Sequence, residues 1–170
     1  MKPCCCDENG KKIMPGKEYI WKGTCTYVTG GSGAGFFGLS GWNLTCYLAS
    51  GITPSCEQFL GNIDAYGVSG SVGLPLPISF SVTKFQVTFN NKPRSPNGFK
   101  GAVTLGGASV ALAKGLSYSF LTIGEGRSGF SLGSQSGFDL PNGSVGYGRT
   151  FKVDFHKIPC NQMSPSLPYF

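Results

Sequence analysis

The stretch SVGYGRTFKVDFH, residues 144–156, alternates between two kinds of side chain. Apart from Arg149, its odd positions are large and apolar: Val145, Tyr147, Phe151, Val153 and Phe155. Its even positions are small or polar. Because successive side chains of a strand point to opposite faces, this pattern predicts one long, half-buried β-strand with the odd positions on its apolar side.

A second alternating run covers residues 68–82. Pro75 and Pro77 cannot donate hydrogen bonds to a sheet, so the run is expected to break or lie at an edge there. The apolar phase switches near Thr83 and Lys84, which predicts a β-bulge. One side of this run forms a predicted apolar interior face, which consists of Val68, Val72, Leu74, Leu76, Ile78, Phe80 and Val82.

Shorter strand patterns fill most of the remaining chain. They are expected over residues 19–28, 36–48, 101–105, 109–113, 116–123 and 129–132, with turn-forming stretches such as Asn97-Gly98, Asn142-Gly143 and GEGRSG between them. Short strands at this spacing predict an all-β fold, an antiparallel meander that forms a small barrel or sandwich of about 8–10 strands. Thr53, Pro54 and Gly61 fit the start and the end of at most one short helix.

The domain organisation follows from these patterns. We predict an N-terminal arm at residues 1–17, a single β domain at 18–156 and an extended C-terminal tail at 157–170. The 14 basic and 8 acidic residues give a net charge of +6 and are scattered, so nucleic-acid binding is not favoured. The sequence contains no run of about 18 apolar residues, so it predicts no transmembrane helix. The first residues also lack the apolar core of a signal peptide.

The stretch from Gly33 to Gly38 fits the dinucleotide-binding pattern G-x-G-x-x-G. That motif needs a helix directly after it, and the residues that follow alternate like a strand instead. The single histidine, His156, lies near Asp154, but the eight acidic residues are spread along the chain. The sequence therefore predicts no catalytic site, no cofactor and no metal site, and the protein is not expected to be an enzyme.

Seven cysteines are present, an odd number that predicts at least one free or interchain thiol. Cys46 and Cys56 are close enough in sequence to close a short loop. The run Cys4, Cys5 and Cys6 is too closely spaced for a zinc site of its own, although Cys160 could supply a further ligand. For the run Cys4, Cys5 and Cys6, free thiols, disulfides to the domain or to another chain, and a metal or lipid attachment all stay open. The remaining cysteine is Cys25.

The chain resembles an uncharacterised family of small, glycine-rich exported bacterial proteins, domain of unknown function 992. The resemblance covers about residues 23–153 and rests on short motifs, which are Cys25, Leu44-Thr45-Cys46, Gly61, Ile63, Gly67, Gly70, the glycine-rich stretch 101–107 and residues 135–137. It implies a periplasmic or secreted β-domain, a disulfide between Cys25 and Cys46, and no known catalytic residues. The cysteine run 4–6 and the proline-containing tail depart from the family pattern.

We therefore predict a non-enzymatic structural or binding β-domain, a subunit of an extracellular or virion-like assembly that self-associates through its terminal arms. A first alternative is a small barrel that binds an apolar ligand or a lipid inside. A second alternative is a barrel that inserts into a membrane. An extracellular or periplasmic location is expected, and a cytoplasmic one stays open because no signal peptide is visible.

Overall fold

The computed structural model describes residues 2–6, 9–34, 37–73 and 78–164. Within these ranges, side chains are described except at residues 32–34, 37–38, 71–73, 78–81, 83, 107–120 and 128–144. The described chain contains eight strands and two short 3₁₀ turns at Pro96–Phe99 and Cys160–Gln162. The strands are β1 (Cys5–Cys6), β2 (Lys12–Ile13), β3 (Ile20–Ala34), β4 (Phe37–Ser50), β5 (Phe59–Gly73), β6 (Ile78–Asn90), β7 (Ala102–Ile123) and β8 (Gly126–Lys157).

Strands β3 to β8 form one antiparallel sheet that is nearly closed into a barrel. The order of neighbours is β5-β4-β3-β6-β8-β7, and β5 also pairs with β8. This closure is achieved because β8 is long enough to pair with both β6 and β5, its first part with β6 and its last part with β5, while residues 126–149 also pair with β7. The predicted all-β fold, a small antiparallel barrel, is confirmed.

The glycine-rich stretch that matches a dinucleotide motif is part of a β-hairpin. Gly33 pairs with Gly38, and Ala34 pairs with Phe37, so β3 passes directly into β4. Residues 35 and 36 lie outside the described part of the chain. Since β4 and not a helix follows the motif, no helix N-terminus faces the glycines to bind a pyrophosphate.

The prediction that residues 144–156 keep one apolar face is wrong, because β8 contains a β-bulge. Asp64 pairs with Lys152, whereas Ala65 pairs with Thr150, so Phe151 is an extra residue in β8. An extra residue reverses which face each following side chain occupies. Val153 and Phe155 therefore pack against the core, while Val145, Tyr147 and Phe151 are exposed.

The predicted interior face is also wrong at the residues where it can be checked. Val68 is 60% exposed, and its neighbour Ser69, 4% exposed, faces the interior instead. Val82 is half-buried and lies on the opposite face of β6 from the buried Phe85. The other members, Val72, Leu74, Leu76, Ile78 and Phe80, are outside the described side chains.

Three local predictions also need correction. Residues 53–57 form a turn, in which the Glu57 amide donates to Thr53 Oγ1 at 3.0 Å, and no helix follows because β5 begins at Phe59. Asn142-Gly143 lies within β8, although a tight turn was expected there. The pairing of β6 with β3 is regular through Thr83 and Lys84; the shift falls between β6 and β8, after Lys84.

The aromatic core fills one end of the barrel, which we call the lower half: residues 20–27, 44–50, 59–65, 84–90 and 150–157. Trp21 lies at its centre, fully buried, against Phe59, Phe99 and Phe155. The Trp21 indole N–H donates to the Pro93 carbonyl at 2.8 Å. We call residues 28–34, 37–43, 66–73, 78–83 and 142–149, which lie beyond this core on the same strands, the upper half.

Candidate binding surface

Among the described side chains, those considered for catalysis do not form a buried site. His156 and Asp154 are both exposed near the C-terminal end of β8. Over the described residues, no group of three or more His, Cys, Asp or Glu side chains could hold a metal ion. None of the helical segments that the structure describes is long and apolar enough to cross a membrane.

Six cysteines form three disulfides. Cys25 and Cys46 are directly paired in the β3–β4 ladder and are linked inside the barrel, which confirms the pairing that the resemblance implied. The other two bonds are Cys4–Cys56 and Cys5–Cys160. Cys46 and Cys56 are thus not partners, and Cys160 is joined to Cys5 by a disulfide. Cys6 is free and exposed. Three disulfides are consistent with an oxidising extracellular or periplasmic environment.

The described parts of both terminal arms are bonded to the domain itself. Gln58, which is fully buried, donates from Nε2 to the Ser164 carbonyl at 3.0 Å and accepts from the Ser164 amide at 3.0 Å. The strand pair β1–β2 is held by Cys4–Cys56 and Cys5–Cys160. These bonds hold the described parts of the arms next to the lower half of the barrel, and among the described residues the upper half has no such cover.

Large apolar side chains are exposed on the outside of the upper half and at its border. Leu39 is 68% exposed and Tyr147 64% exposed, and the Tyr66 and Phe151 rings lie 5.6 Å apart. We call this set the outer apolar face; it consists of Val28, Leu39, Tyr66, Val68, Val145, Tyr147 and Phe151. Exposed apolar residues that occur singly need no explanation, but a contiguous group indicates a surface that binds something.

The register of the strands places these residues next to one another. Leu39, Gly70 and Val145 form one row across β4, β5 and β8, and Gly41, Val68 and Tyr147 form the next. A Cβ atom added at Gly70 would meet nothing within 4 Å, so no packing contact requires glycine there. Glycines alternate with the large side chains and leave the surface open to close approach by another apolar surface.

The outer apolar face ends at a polar border. In the row below Tyr66, Asp64 accepts from Thr45 Oγ1 at 2.9 Å and pairs in register with Lys152. Lys84 lies in the same row on β6, and Arg149 lies one row above, next to Tyr66. Lys84, Arg149 and Lys152 are all exposed. The border therefore carries three cations and one carboxylate.

On β4, β5 and β8, the interior of the upper half is built from small residues, in contrast to the aromatic lower core, while Leu105 of β7 is buried in register with Gly146. The Ser40 and Ser69 hydroxyls are hydrogen-bonded to each other, and Gly146 is buried nearby. Trp42 separates this region from the lower core, and its buried Nε1 has no hydrogen-bond partner among the described atoms. Beyond Trp42, the large apolar side chains described on β4, β5 and β8 thus point outward and the small ones point inward.

Trp42 packs on glycines of β5 and β8, which predicts a large difference between two substitutions. A Cβ atom added at Gly148 would lie 2.7 Å from Trp42 Cζ2 and 2.8 Å from the Gly67 Cα. We expect Gly148→Ala to lower the free energy of unfolding by about 2 kcal/mol, the usual cost of overpacking. Gly70→Ala, which meets open space, is the matched control and should change it by less than about 0.5 kcal/mol. Urea denaturation measures both, and equal effects would contradict the packing described here.

The sequence predicted that most residues of the outer apolar face lie in strands, but it did not identify which side of each strand is exposed. Alternation of Tyr66 and Val68 with Gly67 and Ser69 shows that two faces differ, not which face is inside. The informative signal was that the second face is glycine and serine with no charge. Small residues of this kind fit the narrow interior of a barrel, whereas a solvent-exposed face usually carries charged side chains.

No protein-family model matches this chain, and no curated protein and no solved structure gave a significant match. The resemblance to the exported bacterial family stays a prediction. The role of the chain must therefore be argued from the geometry of its own surfaces.

Proposed function

We propose that the chain is a secreted or periplasmic, non-enzymatic β-barrel domain that acts by binding through its outer apolar face. The observation that carries this proposal is the contiguous exposure of Leu39, Tyr66, Val68 and Tyr147 on neighbouring strands. Burial of such side chains against a partner is favourable, and their exposure in the isolated chain is not. The three disulfides support the oxidising location of the proposal.

The contacts support some of the functions that the sequence left open less well than others. Self-association through the terminal arms loses support, because the described parts of the arms are bonded to their own domain. A barrel that binds an apolar ligand inside was motivated by a run that begins at Val68, and Val68 faces outward. A structural or binding role through the outside of the barrel is the function that agrees best with these contacts.

Hydrophobic interaction chromatography tests the proposal on the full chain. The wild-type protein should be retained on a phenyl matrix, and Val68→Ser/Tyr147→Ser should elute much earlier, because two exposed apolar side chains are removed. Tyr47→Ser is the matched control, since Tyr47 is 51% exposed on β4 but lies outside the outer apolar face. It should elute close to wild type. Equal retention of the double variant and wild type would overturn the proposed function.

A further inference from the structure

We infer that the outer apolar face docks on an anionic lipid bilayer, with the upper half of the barrel inserted into one leaflet. This inference rests on the proposed function, because it names the partner of the same face. Three observations favour a bilayer over a second copy of the chain: the way the apolar residues are distributed around the barrel, the polarity of the interior, and the charge at the border.

The apolar residues follow the circumference of the barrel. Val28, Leu39, Val68 and Tyr147 come from β3, β4, β5 and β8, which are neighbours in the sheet. A partner protein of ordinary size covers a single patch, whereas a bilayer surrounds whatever is inserted into it. These residues occupy three successive rows on four adjacent strands. Such a band of exposed apolar side chains is typical of a barrel surface in contact with lipid.

On β4, β5 and β8, the side chains that face the interior of the upper half above Trp42 are small, and Leu105 of β7 is the apolar residue described in the same row. Ser69 and Gly146 are buried and Ser40 is half-buried, whereas their strand neighbours Val68 and Val145 are exposed. A water-soluble barrel gains most of its stability by placing apolar side chains inside. Barrels in membranes place apolar residues outside and polar ones inside, and they carry aromatic residues at the level of the lipid headgroups. Tyr66 and Phe151 stand at that position here, directly above the polar border.

The border carries charge that complements an anionic surface. Lys84, Arg149 and Lys152 are exposed in the two rows at the edge of the outer apolar face, where Asp64 is the one described carboxylate in register with them. The chain as a whole has a net charge of +6. A lysine or arginine held close to anionic headgroups contributes attraction that a neutral lipid does not supply.

The dimensions set the depth of insertion. The described face runs from residue 145 to residue 151 on β8, roughly 20 Å along the strand. At a strand tilt of about 40° this amounts to about 15 Å along the barrel axis. The hydrocarbon core of a bilayer is about 30 Å thick, so the described face matches one leaflet. The terminal arms, which are bonded to the lower half, would stay in water.

Tryptophan fluorescence with vesicles tests the inference. The native Trp21 and Trp42 are buried in the barrel and are common to all variants. In Tyr147→Trp, the new indole should shift its emission to the blue and be quenched by brominated acyl chains when vesicles of equal phosphatidylcholine and phosphatidylglycerol are added. Tyr47→Trp, on the polar part of β4, is the matched control and should show neither change.

Flotation with the same vesicles measures how much each substitution changes the partition of the protein into lipid. Val68→Ser/Tyr147→Ser should weaken partition by about 30-fold, because two side chains no longer enter lipid. Lys84→Gln/Lys152→Gln should weaken partition into the anionic vesicles by about 30-fold as well. The lysine variant should leave binding to vesicles of phosphatidylcholine alone unchanged. A lysine variant that weakens both kinds of binding equally would contradict the role of charge.

The outcomes separate the inference from the proposed function. If wild type does not float, but light scattering shows an oligomer that Val68→Ser/Tyr147→Ser dissociates, the face binds a second copy and the bilayer inference is overturned. The proposed function stands in that case. If wild type neither floats nor differs from the double variant on the phenyl matrix, both are overturned. Blue shift and quenching confined to Tyr147→Trp support both.

Discussion

Replacing Trp21 by alanine is expected to lower the free energy of unfolding by about 5 kcal/mol, the upper part of the range for removing a large buried aromatic side chain. Trp21 is fully buried in the lower half. Its ring centroid lies 5.1 Å from that of Phe99, 5.4 Å from Phe155 and 5.8 Å from Phe59. These three residues come from different parts of the chain, so the cavity left behind cannot be closed by the movement of one element.

The indole also has a polar contact that alanine or phenylalanine could not make. Its N–H donates to the Pro93 carbonyl at 2.8 Å, and alanine would leave that buried acceptor without its partner. Trp21→Phe keeps most of the ring and loses only the hydrogen bond and part of the volume. It should therefore cost about 1–3 kcal/mol.

Urea denaturation followed by circular dichroism measures these differences. Domains of ordinary stability unfold with about 5–15 kcal/mol, so a loss of about 5 kcal/mol removes about a third or more of that free energy. Tyr47→Ala, an exposed aromatic residue on β4, is the control and should be nearly neutral. A Trp21→Ala protein as stable as the Tyr47→Ala protein would show that Trp21 is not the centre of the core.

Removing the Cys5–Cys160 disulfide is expected to cost about 4 kcal/mol. The two residues are 155 positions apart in sequence. Because Cys4–Cys56 still ties the N-terminal arm to the domain, the loop that is actually released contains roughly 100 residues. A bond that closes so long a loop strongly restricts the unfolded chain, which is the main source of its stabilising effect.

Cys5→Ser/Cys160→Ser tests this expectation, with Cys6→Ser as the matched control. Cys6 is next to Cys5 in β1 but is free and exposed, so its replacement should leave stability unchanged. Denaturation without reductant should separate the two variants clearly. In excess reductant, wild type should lose more stability than the double variant did, because all three disulfides open. Equal stability of the double variant and Cys6→Ser would contradict the assignment of this bond.

The fold class was predictable because strand alternation is a local property of the sequence. The stretch 144–156 correctly indicated a strand, yet its inward face was assigned wrongly up to Phe151 and correctly only at Val153 and Phe155. A one-residue bulge depends on how β5 pairs with β8, and nothing local to β8 encodes that pairing. In the same way, Thr53 and Pro54 satisfy the local rules for a helix start, but the strand pairing of Phe59 and the Cys4–Cys56 bond allow only a turn.

The candidate binding surface was harder to predict than the fold. Leu39, Val68 and Tyr147 are far apart in sequence and become neighbours only when three strands are placed in register. The assumption that apolar side chains point inward then assigned Val68 to the wrong side of the barrel. That assumption follows from water being the solvent on the outside, and it gives no information where another phase or partner covers the surface.

The bond between Cys5 and Cys160 makes most of the polypeptide a covalently closed circle. A single proteolytic cut at any peptide bond between these residues opens the ring but releases no fragment. Such a nicked molecule would migrate as one species on a gel without reductant and as two after reduction. A molecule joined in this way can therefore be cleaved once in an exposed loop without being lost as separate pieces.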